Sequence, residues 1–414
     1  MTAVIGAAGP GLDPAAPRRP TMSRETARRL TDLTAGFPLQ PAGPGSIPLS
    51  GGIPAPDVLP AAELAESFAA VLADPSAART TLPYARPDGI PELRAWLADR
   101  EAVDDPDRVQ VTDGALHAIS LVIQALVDPG DLVLVESPTF PLALRLLQYH
   151  GARWEPIPVD EAGLDVDELE RRLRAGVRPR LVYLIPDFQN PTAVTLSAPR
   201  RRRLVELAER YGFVVLADNP YQELAFGEDS LPGLDIGSDR VARANTFSRT
   251  LGPGLRTGWL VLPTWLREPV ALIRANTDQF TSLVTQRAVT DLVTRPGRFD
   301  AIVQRARVAY ARRAVTLRAA LLAETDGALD VPAVDGGIFL WARITRPGLD
   351  ADDVLHRALA AGTNFQPGRH FDAASIDGSG PAFRQYLRVG FSAVAEEDLL
   401  EAARRLSRAV LARD

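Results

Sequence analysis

Between Val109 and Leu262 the chain alternates short apolar runs with amphipathic segments. The runs Val109–Thr112, Leu132–Glu136, Trp154–Val159, Leu181–Ile185, Phe213–Ala217 and Trp259–Leu262 read as strands. Helical patterns fill the gaps at Ala115–Leu126, Pro141–His150, Val166–Arg174 and Pro199–Tyr211. Strands alternating with helices of this length predict βαβ units, an α/β fold with a mostly parallel sheet sandwiched by helices. Ligands of such sheets sit beyond the carboxyl ends of the strands, on the connecting loops.

A different pattern follows. From Arg298 to about Thr325 a long helix is predicted, with Ile302, Ala306, Ala309, Ala314 and Leu317 on one broad apolar stripe. Then come a strand-like Gly337–Ile344, a helix Ala351–Ala361, a strand Gln385–Phe391 and a final helix from Glu396 to about Leu411. This segment predicts a smaller α+β C-terminal domain. The expected organisation is a flexible tail at 1–22, an N-terminal arm at 23–58, a large domain at 59–297 and a small domain at 298–414.

Composition narrows the chemistry. The 414 residues are 46% hydrophobic and 24% charged, as in an ordinary soluble globular protein. A net charge of -6 gives no basic footprint for nucleic acid. Cysteine is absent, which removes disulfides and thiolate chemistry, and His117, His150, His356 and His370 show no metal-ligand spacing, so no metal is expected. No apolar stretch approaches the roughly 20 residues of a membrane helix, and Met1–Met22 lacks the pattern of a signal peptide. A cytoplasmic protein with no membrane partner is expected. All 46 basic residues are arginines, because the chain contains no lysine. Its abundant Ala, Arg, Gly and Pro fit a GC-rich coding sequence.

Three loop strings carry the candidate chemistry. Asp218-Asn219-Pro220-Tyr221 follows a strand and can address one flat heteroaromatic ligand: the carboxylate holds a protonated ring nitrogen, the phenol reaches a ring hydroxyl. Taken alone, that spacing is as well explained by a loop cap. In Pro186-Asp187-Phe188-Gln189-Asn190-Pro191-Thr192, two prolines restrict the backbone around Asn190. The third string runs Thr246-Phe247-Ser248-Arg249-Thr250-Leu251-Gly252-Pro253-Gly254-Leu255-Arg256-Thr257-Gly258.

Together these strings resemble the class I/II aminotransferases of pyridoxal-phosphate fold type I, in the branch of 2-aminoadipate, kynurenine and aromatic aminotransferases. Further matching strings are Gly51-Gly52-Ile53-Pro54-Ala55-Pro56, Tyr84 with Gly89 and Leu93-Arg94, Gly336-Gly337-Ile338-Phe339, Pro367-Gly368 with Phe371, and Leu387-Arg388, so the resemblance runs from Leu49 to the C-terminus. It implies pyridoxal phosphate or pyridoxamine phosphate as cofactor. Asp218 would pair with the pyridine nitrogen, Asn190 and Tyr221 would bind the ring hydroxyl, and Phe140 would stack on the ring. Ser248, Arg256 and Thr246, with the helix-opening amides at Gly114 and Ala115, would grip the phosphate. Tyr84 would reach the phosphate of a neighbouring subunit, which implies a homodimer with shared active sites. Gly52, Asn190 and Arg388 would meet an amino-acid or keto-acid substrate, with Arg388 forked onto its carboxylate.

The sequence departs from the family pattern at four places, one of them Thr246 in place of a serine that helps hold the phosphate. Ala193 stands where a glycine is usual. Ala115 and Leu116 replace a Ser and a Gln that would donate to phosphate. Arg249 occupies the position of the Schiff-base lysine, and a guanidinium stays protonated in proteins. Three functions remain open. One is a lysine-independent step on the cofactor or a preformed adduct, with Arg249 as fixed charge and Tyr221 or His117 as proton carrier. Another is a catalytically silent binding protein on the same scaffold. The third is a cofactor-independent enzyme using the remodelled pocket. For His117, a partly solvated helix position competes with the proton-carrier role. A DNA-binding regulator is not expected, because too few residues precede Leu49 for a helix-turn-helix domain.

Overall fold

The fold was obtained as a computed structural model. The structure describes residues 22, 23, 26, 27, 29, 43, 45–227, 233, 234, 237–375 and 380–412. The expected tail at 1–22 therefore lies almost wholly outside the described residues, as does most of 23–44.

The large sheet comprises β1 (Val109–Thr112), β2 (Leu132–Ser137), β3 (Arg153–Asp160), β4 (Gly163–Leu164), β5 (Leu181–Leu184), β6 (Val214–Asp218), β7 (Val241–Thr246) and β8 (Gly258–Val261), in the order β1-β8-β7-β6-β5-β2-β3-β4. The centre, from β7 through β6, β5 and β2 to β3, is parallel, while β8 runs antiparallel to both of its neighbours.

Four helices connect the parallel strands: α1 (Ala115–Leu126), α2 (Pro141–His150), α3 (Val166–Arg174) and α4 (Ala198–Tyr211). Local chemistry sets their ends. Pro141 opens α2 with its φ preset, and Gly151 and Gly212 close α2 and α4 in the left-handed conformation. Asp165 caps α3 by accepting from the Glu168 N–H at 2.9 Å.

The two-residue period of the strands decides which core each side chain joins. Val133, Val135, Leu181, Tyr183, Val214 and Leu216 pack with α1 and α2. Leu134, Val182, Leu184, Val215 and Ala217 pack with α3 and α4 on the opposite face. Both faces are thus covered, which is why these strands read as continuous apolar runs.

The smaller C-terminal domain carries an antiparallel sheet of β9 (Leu329–Asp330), β10 (Phe339–Ile344), β11 (Gln366–Pro367) and β12 (Tyr386–Gly390), ordered β9-β10-β12-β11. Helices α5 (Arg298–Glu324), α6 (Ala351–Ala360) and α7 (Glu396–Leu411) accompany it. Phe299, Ile302 and Val303 of α5 join an apolar cluster with β1 and β8, whereas Ala306, Tyr310 and Leu317 join the core that includes β10 and α7. One helix therefore ties both parts together. Ile47–Pro48 forms a short parallel ladder with Thr363–Asn364, and Leu49, Ala55 and Val58 are buried in the same core.

Besides the two-residue strands β4, β9 and β11, one full-length strand, β7, escaped the sequence pattern. Every residue of β7 is buried, including Arg243 and Asn245, which interrupt its apolar character. Both meet the buried carboxylate of Glu101: Arg243 as an ion pair at 2.6 Å, and Asn245 by donating at 3.0 Å. The Trp259 indole N–H donates to the same carboxylate at 2.9 Å.

Candidate active site

The carboxyl ends of β2, β5, β6 and β7 and the first turn of α1 enclose a cavity of about 230 Å³. Its walls include Ala115, Leu116, Phe140, Asn190, Asp218, Tyr221, Thr246, Ser248, Arg249 and Arg256. Of the candidate site residues, Tyr84, Gly52, Gly114, His117 and Arg388 are not among those walls.

Asp218 ends β6 and is buried. Its Oδ2 accepts from the Tyr183 hydroxyl at 2.9 Å, while Oδ1 has no hydrogen-bond partner among the described residues. Burial pushes the carboxyl up to about 7, against the pull of the Tyr183 hydrogen bond and the Arg249 charge. Glu136, on β2, is buried too, and burial pushes it up to about 8. It accepts from the Ile185 N–H at 2.8 Å and from Gln189 at 3.2 Å.

Arg249 reaches across the cavity rather than out of it. Its guanidinium donates to the Gly52 carbonyl and lies 5.8 Å from the Tyr221 ring centroid. Burial raises the Tyr221 phenol above its usual range, and the charges of Arg249 and Arg388 pull it back. Arg388, on β12, donates to Asn190 Oδ1 at 2.9 Å and to the Ser50 carbonyl at 3.0 Å. Its guanidinium stacks 4.0 Å from the Phe339 centroid and 4.9 Å from that of Phe371, and burial holds it down to about 9. Although Arg388 is not a cavity wall, its bond to Asn190 joins it to one.

At the other end of the cavity α1 begins without a side-chain cap, so its first amides remain available for an anion. Gly114 precedes them at φ +92°, and a Cβ there would meet Arg256 Nη2 at 2.8 Å. Arg256 is held by donating to the Asp113 carbonyl at 2.7 Å. Ser248 and Thr246 lie beside it, their hydroxyls 2.8 Å apart.

The structure separates two candidates from this group. Ala115, Leu116 and Ile119 take the cavity side of α1, leaving His117 on another face. Its Nδ1 accepts from the Asp113 N–H at 3.1 Å, and Nε2 lies 3.8 Å from Asp278. Asp113, His117 and Asp278 form the one cluster among the described residues with metal-ligand spacing, which sequence distance concealed. The buried Arg274 guanidinium pairs with Asp278 and supplies positive charge there. Tyr84 is 83% exposed and touches Phe280 edge-on at 5.8 Å. Ala193, expected at a glycine position, adopts φ +61°.

Sequence reasoning missed Tyr183 and Glu136. Both sit in apolar strands and read as core; the one available signal was that a buried tyrosine needs a hydrogen-bond partner.

Comparisons with known proteins fit this geometry. The family Aminotransferase class I and II matches residues 47–406. The 2-aminoadipate transaminase of Thermus thermophilus is 33% identical over 372 residues, covering 89% of this chain and 90% of that one. Among solved structures, the Thermus thermophilus alpha-aminoadipate aminotransferase complexed with N-(5'-phosphopyridoxyl)-L-leucine superposes with a TM-score of 0.84 at 31% identity, over 94% of this chain and 97% of that one. The Pyrococcus horikoshii kynurenine aminotransferase, in complex with PMP, gives 0.80 at 28% identity, over 88% and 90%. This chain belongs to the class I and II aminotransferase family.

Proposed function

We propose that the cavity holds pyridoxal phosphate or pyridoxamine phosphate without a covalent bond, and that the protein acts on an amino acid or keto acid by a step that needs no lysine. The observation that carries this reading is the buried, unpartnered Oδ1 of Asp218. A buried carboxylate oxygen without a donor is costly, and a protonated pyridine nitrogen supplies the missing N–H. The uncapped start of α1, Ser248 and Arg256 suit a phosphate at the opposite end. The neighbours described above bind phosphopyridoxyl compounds or pyridoxamine phosphate, which supports the same choice.

When bound, such a group acts as an electron sink for bonds to an amino-acid α-carbon. The chain's own residues have separate tasks. Asp218 fixes the ring nitrogen, and Phe140 covers one ring face. Asn190 Oδ1 is already occupied by Arg388, so its amide N–H groups are directed to the ring hydroxyl, together with Tyr221. Arg388 keeps its bond to Asn190 Oδ1 and turns the donor now on the Ser50 carbonyl to a substrate carboxylate. Arg249 contributes fixed positive charge beside Tyr221 and favours an anion there. Ala115 and Leu116 offer no side-chain donors, so the phosphate rests on the first amides of α1 together with Ser248 and Arg256.

A second reading, a binding protein without turnover, gains support from the proton carriers. His117 lies off the cavity, and Tyr221 is a weaker acid than usual, so the one is out of place and the other stays protonated at neutral pH. Calorimetric titration with pyridoxamine phosphate tests the main reading. Wild type should bind it, and Asp218→Asn should weaken binding about 10- to 100-fold. Absent binding, or equal affinity in the variant, overturns the ring assignment. Binding without amine transfer to any 2-keto acid selects the second reading.

A further inference from the structure

A second cleft, of about 580 Å³, lies on the other side of the loop that carries Asn190. Thr192–Thr195 line it, whereas Asn190 lines the central cavity, and the two share no wall residue. One wall is aromatic. Trp341 stacks on Tyr386 at 5.1 Å with the rings 17° from parallel, and Phe383 completes the group 5.8 Å from Tyr386. All three rings are only half-buried.

The rest of the lining sets the charge. Asp160, Glu161 and Asp335 border the cleft, and no arginine or histidine does. In a chain with 46 basic residues that is a marked local exclusion. Asp160 is neutralised by Arg200, which it meets at 2.6 Å. Glu161 and Asp335, both exposed, have no ion-pair partner among the described residues, so two carboxylates border the same cleft as the aromatic wall.

We propose that this cleft binds a small organic cation with an aromatic or apolar body, at a site separate from the aminotransferase cavity. Aromatic faces attract a desolvated cation through their quadrupoles, and the two free carboxylates add Coulomb attraction. The same charges disfavour the anionic amino and keto acids suited to Arg388. Trp341 stands directly opposite Arg388 across the β10–β12 pair, and its ring meets Phe371 edge-on at 5.8 Å. The aromatic wall of the cleft therefore includes the strand partner of Arg388.

The probe is benzyltrimethylammonium, which has no amine hydrogen and cannot react with an aldehyde cofactor. In calorimetric titrations it should bind at least about tenfold more tightly than neutral benzyl alcohol. The exposed double variant Glu161→Gln/Asp335→Asn should weaken it about tenfold, and Trp341→Leu should do the same. Asp218→Asn should leave its affinity unchanged. Equal binding of benzyl alcohol, an unaffected double variant, or no binding heat at tens of millimolar overturns the proposal. Loss of binding in Asp218→Asn alone would place the cation in the central cavity instead. None of these readouts depends on the cofactor, so this proposal and the proposed function fail separately.

Discussion

Asp218, Tyr183 and Glu136 make an unusual set of buried groups, two carboxyls and a phenol at the ends of three neighbouring strands. Asp218 ordinarily titrates near 3.8 and here near 7, while Glu136 moves from 4.5 to about 8. Between the ordinary and the raised values the folded protein holds protons that the unfolded chain has released. Folding then takes up protons, so stability falls as pH rises from about 4 to about 8. In the cofactor-free protein these two carboxyls should thus favour pH 5 over pH 8 by roughly a few kcal/mol, offset in part by the half-buried His370, whose imidazole is held down to about 4 by burial. Asp218→Asn should flatten that slope in urea denaturation, and an unchanged slope would mean the burial argument is wrong. Asp218, Asn190 and Tyr221 were singled out in the sequence because their loop strings resemble the family's, whereas loop punctuation alone would have left Asp218 and Tyr221 as an ordinary loop cap. Tyr183 and Glu136 were not, because a polar residue inside a strand announces nothing about what lies across the sheet.

The elements that meet at the anion end are packed backbone to backbone. A Cβ on Gly258 of β8 would lie 2.8 Å from the Cα of Gly114 and 2.6 Å from the Asn245 carbonyl. The start of α1 therefore rests directly on β8. Gly258→Ala should cost roughly 1–3 kcal/mol in unfolding free energy and should also weaken pyridoxamine phosphate, because the amides of α1 shift. A fully stable variant with wild-type affinity would contradict that packing. All six strands and all four helices expected between Val109 and Leu262 end within one residue of their observed bounds, with Phe213–Ala217 and Trp259–Leu262 each displaced by one residue at both ends. The two-residue β4 was missed, and so was β7, since Arg243 and Asn245 broke the apolar run and their partner Glu101 lies over 140 residues away.

For the molecule as a whole, the change of pattern after Arg298 made the smaller domain legible, yet no periodicity could show that α5 serves both cores. The exposed Tyr84, with Leu82 two residues before it exposed as well, suits burial against a second copy. We expect a homodimer in which Tyr84 reaches the partner's phosphate end. Sedimentation should give twice 44.6 kDa, and Tyr84→Ala should lower pyridoxamine phosphate affinity about tenfold. A monomer at all concentrations that still binds the cofactor fully would remove the shared-site reading. Among the described residues no helix is long and apolar enough to cross a membrane.

Incubating wild type and Arg249→Lys with pyridoxal phosphate, reducing with borohydride and weighing the denatured chains tests whether the cofactor is held without a covalent anchor. Wild type should bind the cofactor when native and lose all of it on denaturation, while Arg249→Lys should retain one cofactor mass. Wild type that keeps the added mass, or a lysine variant that never gains it, would contradict both the place assigned to Arg249 and the cavity built around it.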